Sequence, residues 1–307
     1  MQVQTIWREG SRPMELQIST ATPTARLWLK SSRDRAMYHV FSAACNLVNS
    51  DGSVLSLVTR QDSISPFSMH VTNSDGIEDD FRFDEWLDAD SPVGISSAEL
   101  WIGDLRFSHN QARVWNPTVA WDSLRPDRVM STLPLIENNL RSVAPMGSFI
   151  DILDGGHLTE WQLVAKSAWH NLRTGLLNFD RFVLGESVHS LAGLGEGLTP
   201  AGDDFLLGVI YSLWIVGGAK AQAIIRLIVT EAIPRTTHLS AAWLDAAGSG
   251  EAGLMWHWFL EAIQSGDEAD ITSLTRRIAG VGHTSGADAL AGFIATSKLY
   301  GEQSRSR

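Results

Sequence analysis

The chain carries a single cysteine, Cys45, so no disulfide can close within it. That cysteine lies in the apolar stretch VFSAACNLV and reads as a buried structural thiol rather than a nucleophile. Basic residues are scarce, 24 Lys and Arg against 35 Asp and Glu, for a formal net charge of −11. General nucleic-acid binding needs a basic footprint and is not expected. A small anionic ligand remains admissible, because a few backbone N–H groups and one arginine create a local positive spot. The longest apolar run, residues 205–218, falls short of the ~20 residues that span a bilayer. Residues 1–10 lack the basic-then-apolar pattern of a signal peptide, so the expectation is a cytoplasmic protein with no membrane partner. There is no low-complexity tract, no Walker A G-K-[ST], no complete catalytic triad and no zinc-ligand spacing.

What is present is an ordinary globular composition, 44% apolar and 19% charged. The fold class expected is α+β: a β-rich sheet or barrel-like half, residues 1–126, packed on an α-helical array, residues 127–307. In the first half, 27–29, 38–47, 54–59, 67–71 and 99–107 are short runs rich in β-branched and aromatic residues. Turn chemistry at 49–52 and 73–76 separates some of them, and the lack of helical segments between the first four favours an antiparallel or mixed sheet. Past Arg125-Pro126 the apolar spacing changes to three and four. Helices are expected over 129–143, 158–177, 203–216, 219–232, 240–247, 253–265, 269–279 and 287–299. Breaks fall at Gly155-Gly156, at 193–197, at Gly217-Gly218, at Pro234 and at 248–250. The twelve tryptophans read mostly as core.

The least ordinary segment is GLGEGLTPAGDDFLLG, residues 193–208. Gly193, Gly195, Gly197 and Gly202 remove side chains where a loop needs unusual φ/ψ or close backbone approach. Thr199 followed by Pro200 reads as a cap and a first helical position, which puts Asp203 and Asp204 in the first helical turn. The spacing is not G-x-G-x-x-G after a strand, so a dinucleotide fold is not expected. The pattern Gly202-x-Asp204-x-Leu206-x-Gly208 recurs as Gly286-x-Asp288-x-Leu290-x-Gly292, and a threonine with a helix starter precedes each copy (Thr199-Pro200, Thr284-Ser285). Two helix starts built alike would make a two-sided site if they converge. Two capped helices can also resemble each other by chance.

Between the copies lie Arg235, Thr236, Thr237, His238 and Ser240. Thr237 or Ser240 can simply cap the next helix; alternatively Arg235 clamps an anion and His238 serves as acid or base. His283 carries the same two readings. The candidate catalytic residues are therefore Asp203, Asp204, Asp288 and His283. Candidate ligand-binding residues are Gly195, Gly197, Thr199, Gly202, Arg235, Thr237, His238, Ser240, Thr284, Ser285 and Gly286.

GLGEGLTPAGDDFLLG and GHTSGADALAG resemble the two signature segments of a bacterial family earlier classed as a carboxylase and now associated with the AllH-type subunit of oxamate carbamoyltransferase. RTTHLSAAWLDAAGSGE and the early VFSAACNLVNSDGSVLSLV are also similar to that family. The chain departs from its pattern at Glu196, where members carry proline, and at Ala201, where they carry serine. Glu196 brings an extra negative charge, which argues against the loop itself cradling a phosphate. The resemblance implies a multi-subunit transferase of anaerobic allantoin degradation that passes a carbamoyl group from oxalurate to phosphate.

Three functions are compatible with these residues. The first is a carbamoyltransferase subunit holding a small anionic carbamoyl or carboxylate ligand between the two helix starts, with other subunits of the complex as partners. The second is a non-catalytic partner subunit of such a complex. The third is a stand-alone metal-dependent amidohydrolase-like or carboxylase-like enzyme using Asp203, Asp204, Asp288, His238 and His283 on a hard or borderline cation, whereas in the first Asp203 or Asp204 orients the amide nitrogen, binds Mg²⁺ or acts as base. A homo-oligomer is compatible with each.

Overall fold

The computed structural model describes residues 13–31, 34–72, 81–96, 99–154 and 158–305. The expected turn at 73–76, the break at Gly155-Gly156 and the start at 1–10 lie outside the described residues. The chain divides into two compact units, Met1–Pro117 and Thr118–Arg307.

The first unit is built on strands β1 (Met14–Ala21), β2 (Arg35–Val40), β3 (Ala44–Asn49), β4 (Val54–Val58), β5 (Ser68–Thr72), β6 (Val93–Ile95), β7 (Glu99–Ile102), β8 (Leu105–Ser108) and β9 (Arg113–Val114). They form one mixed sheet in the order β2-β3-β4-β5-β1-β8-β7-β6, with β9 on β1. The pairs β1–β8, β1–β9 and β4–β5 are parallel and the others antiparallel. The edge strands β2 and β6 approach each other, so the sheet is a nearly closed barrel. Its core includes Leu47, Leu55, Leu57, Leu100 and Phe107, and Cys45 lies there as a buried thiol whose pKa is pushed up by desolvation.

Two strand expectations change in this unit. Residues 27–29 form the end of a helix, α1 (Pro23–Lys30), because Thr22 caps it by accepting the Ala25 N–H (3.2 Å) and Pro23 pre-sets its first turn. Residues 38–47 and 99–107 each hold two strands rather than one. The second pair turns back at Gly103, whose φ of +52° is the left-handed conformation a tight turn requires.

The second unit is helical: α2 (Pro126–Val143), α3 (Phe149–Asp154), α4 (Glu160–Asn178), α5 (Arg181–Leu191), α6 (Ala201–Val216), α7 (Ala221–Ala232), α8 (His238–Gly248), α9 (Leu254–Ser265), α10 (Glu268–Ala279) and α11 (Ser285–Arg305). Helices α3 and α5 are additions to the sequence reading. Asp180 caps α5 by accepting the N–H groups of Phe182 and Val183, a start signal that the weak periodicity after it hides. Helix α6 is buried around almost its whole circumference, as a helix apolar on every face must be. It packs chiefly on α11. No described helix is long and apolar enough to cross a membrane.

Candidate functional site: two helix starts and their aspartates

The repeated pattern G-x-D-x-L-x-G is an instruction for how α6 and α11 meet. A Cβ on Gly208 would lie 1.8 Å from the Ala289 carbonyl oxygen, and one on Gly292 would lie 2.1 Å from that of Phe205. The second glycine of each copy thus lets one backbone rest on the other. Leu206 and Leu290 are fully buried. The first glycine of each copy admits the preceding segment: a Cβ on Gly202 would strike the Leu191 carbonyl at 2.0 Å, and one on Gly286 the Ile278 carbonyl at 1.7 Å. Contacts pair 199 with 285, 208 with 289 and 212 with 297, so the two helices run parallel with both N-termini at one end. Two positive dipole ends therefore lie side by side, each answered by aspartate in its first turn.

Each aspartate has its own environment. Asp203 accepts the Gly193 N–H on Oδ1 (3.0 Å) and the Thr236 hydroxyl on Oδ2. It staples the start of the glycine loop to the segment entering α8. Burial raises its pKa, while Thr236, Gly193 and Ser240 pull it back. Asp204 is 6% exposed, and its Oδ2 has no hydrogen-bond partner among the described residues. Desolvation and then the charge of Asp288 hold its carboxyl well above the usual range, against the hydroxyls of Ser285 and Thr199. Asp288 is fully buried and accepts the Phe149 N–H on Oδ1 (2.6 Å), and its Oδ2 is likewise unpartnered. Burial pushes its pKa up to about 7, with the Phe149 N–H and the Thr284 hydroxyl opposing. Burial thus shifts both motif carboxyls of the pair toward their protonated forms.

The expected cap at Thr199 is not formed. Helix α6 begins at Ala201 with Pro200 as its cap residue, and the Thr199 hydroxyl bonds Ser285 Oγ instead (2.8 Å). Thr237 does cap α8, accepting the Ser240 N–H (3.1 Å), and its hydroxyl donates to the Leu198 carbonyl (2.6 Å). The loop glycines Gly193, Gly195 and Gly197 all have positive φ, and at Gly193 a Cβ would also meet the Arg235 carbonyl at 2.5 Å. Glu196 is exposed. Arg235 sends its guanidinium back one turn to the Glu231 carbonyl (2.9 Å), and His238 and His283 are exposed. The residue the sequence reading did not reach is Phe149, whose N–H holds Asp288; α3 is too short to carry a periodic signal.

Among the described residues no group of three or more His, Cys, Asp or Glu is arranged to hold a metal ion. Both Asp203 oxygens are engaged, by the Gly193 N–H and the Thr236 hydroxyl, while Asp204 and Asp288 each keep one oxygen without a partner among the described residues.

Fold and site together define a two-unit α+β protein whose helical unit brings two parallel helix N-termini and a buried pair of aspartates to one end. Residues 191–297 match the model of the family described as oxamate carbamoyltransferase subunit AllH, the family its motifs resemble. The match runs from the last residue of α5 into α11 and contains both glycine–aspartate motifs and the 235–240 cluster. No solved structure matches the chain.

Proposed function

We propose that this chain is a subunit of an oxamate carbamoyltransferase of allantoin degradation, and that Asp204 and Asp288 engage the carbamoyl group of its ligand. The observation that carries this reading is the coupling of the two motif aspartates: the charge of Asp288 raises the Asp204 pKa, and Thr199 and Ser285 join the two helix starts. A carbamoyl group presents one carbonyl acceptor and one NH₂ donor on the same carbon. Asp204, whose carboxyl burial and the charge of Asp288 shift toward the protonated form, donates to the carbonyl, and Asp288 accepts from the NH₂. Parallel helix N-termini favour the negative charge that develops on the carbonyl oxygen when phosphate attacks. In that step a phosphate oxygen bonds to the carbamoyl carbon and the bond from that carbon to the oxamate nitrogen breaks. The phosphate proton moves to the departing nitrogen, giving oxamate and carbamoyl phosphate. Asp203 positions the loop rather than touching the ligand.

Asp204→Asn in the assembled complex tests the assignment. It removes the acid while keeping the shape, so carbamoyl phosphate formation from oxalurate should fall about 10²-fold or more, with thermal stability maintained. Undiminished turnover in that variant would remove the site from the chemistry.

A further inference from the structure

Ser148 stands immediately before α3 and is fully buried, yet its hydroxyl has no hydrogen-bond partner among the described residues. A serine at a helix start ordinarily caps it, accepting an N–H two or three residues on. Here the Asp151 N–H goes to the Ser148 carbonyl (3.1 Å), and the Asp151 carboxylate accepts the Gly147 N–H (2.7 Å). No group among the described residues meets the hydroxyl, and leaving it unmet in the interior is unfavourable.

The neighbouring residue fixes where that hydroxyl stands. Phe149 donates its N–H to Asp288, while its ring stacks on Phe205, the residue after Asp204, with centroids 4.4 Å apart and planes at 20°. The residue next to Ser148 is thereby held against both aspartate-bearing helices. Three nine-tenths-buried side chains, Ser148, Asp204 and Asp288, each keep one oxygen without a partner among the described residues.

We propose that the Ser148 hydroxyl is a third ligand-contacting group of the Asp204–Asp288 site, hydrogen-bonding the primary-amide end of a small carboxylate. The inference rests on the functional reading above. It adds a residue outside the matched stretch 191–297 and names the part of the ligand it meets. A hydroxyl both donates and accepts, so it serves whichever of the amide oxygen and NH₂ the two carboxyls leave unmet.

Calorimetric titration of the full chain with oxamate, alongside thermal unfolding, separates the possibilities. Wild type should bind, and Asp204→Asn and Ser148→Ala should each weaken binding at least about tenfold, the scale of one good hydrogen bond. The Ser148→Ala melting temperature should be unchanged or raised, since an unmet buried hydroxyl is removed. Equal oxamate affinity in Ser148→Ala and wild type, with binding lost in Asp204→Asn, overturns this inference and leaves the functional reading intact. Wild type that binds neither oxamate nor carbamoyl phosphate overturns both. Should Ser148→Ala fail to fold, Ser148→Cys keeps the volume with only a weak hydrogen-bonding group, and the same comparison decides.

Discussion

Thr199 Oγ1 and Ser285 Oγ lie 2.8 Å apart, so one hydroxyl pair joins the residue before the α6 cap to the first residue of α11. The pair links the two segments that carry Asp204 and Asp288. Each hydroxyl is half-buried and each also favours the charged form of Asp204. A double-mutant cycle over Thr199→Val and Ser285→Ala should return a coupling of about 0.5–1.5 kcal/mol in urea unfolding. Strictly additive losses would show that the two hydroxyls do not act together.

The glycines beneath that pair are the mechanical part of the device. Gly208→Ala and Gly292→Ala each drive a methyl into a facing carbonyl, and backbone on both sides cannot yield as a side chain would. Each should cost at least about 1–3 kcal/mol in denaturant unfolding. Gly185→Ala is the control: in α5 its Cβ meets nothing within 4 Å, so it should stabilise by about 0.4–1 kcal/mol. Equal effects at all three positions would mean that close approach is not what the motif glycines serve.

Asp203 and Asp204 are adjacent in sequence and should separate cleanly under mutation. Asp203→Asn offers one acceptor where two donors converge, the Gly193 N–H and the Thr236 hydroxyl. Its expected cost is about 1–3 kcal/mol of stability, with faster hydrogen exchange at the Gly193 amide. Asp204→Asn leaves that staple intact and should melt like wild type. If Asp203→Asn kept both wild-type stability and Gly193 protection, the stapling role would fall.

The buried carboxyls also give stability a pH dependence of stated sign. Asp288 has a pKa of about 7 when folded, against about 3.9 for an aspartate in an unfolded chain. Between those values the folded state holds more protons than the unfolded one, so this group's contribution falls as pH rises from about 4 to about 7. Asp204 is shifted the same way and contributes a loss of the same sign. The difference in urea midpoint between wild type and Asp288→Asn should therefore move against wild type across that window. A difference that stays flat with pH would mean Asp288 titrates normally.

Much of this was legible before folding because it is written in local chemistry. The change of periodicity after Pro126 separates strand-rich from helical sequence, and most helices begin and end near where apolar spacing and Gly or Pro place them. The two motifs could be found and matched, since glycine and aspartate at fixed offsets from a helix start mean something at short range. Local signals also misled. The apolar run at 27–29 looked like a strand until Thr22-Pro23 imposed a helix on it, and Thr199 looked like a cap until Ser285 offered a better partner.

Tertiary structure alone decided what each polar residue does. Asp203 is a staple because Thr236, 33 residues on, reaches its Oδ2; Asp288 is pinned because Phe149, 139 residues earlier, points an N–H at it. Neither partner has a sequence signature, since a single N–H or hydroxyl can come from almost any residue. The depth of burial that raises the Asp204 pKa depends on several helices closing over it at once. The sequence by itself determined that two helix starts carry glycine and aspartate. Only the packing of α6 parallel to α11 brought them to the same end of the helical unit, and a carboxyl's charge responds to whatever surrounds it within a few ångströms, not to its place in the chain.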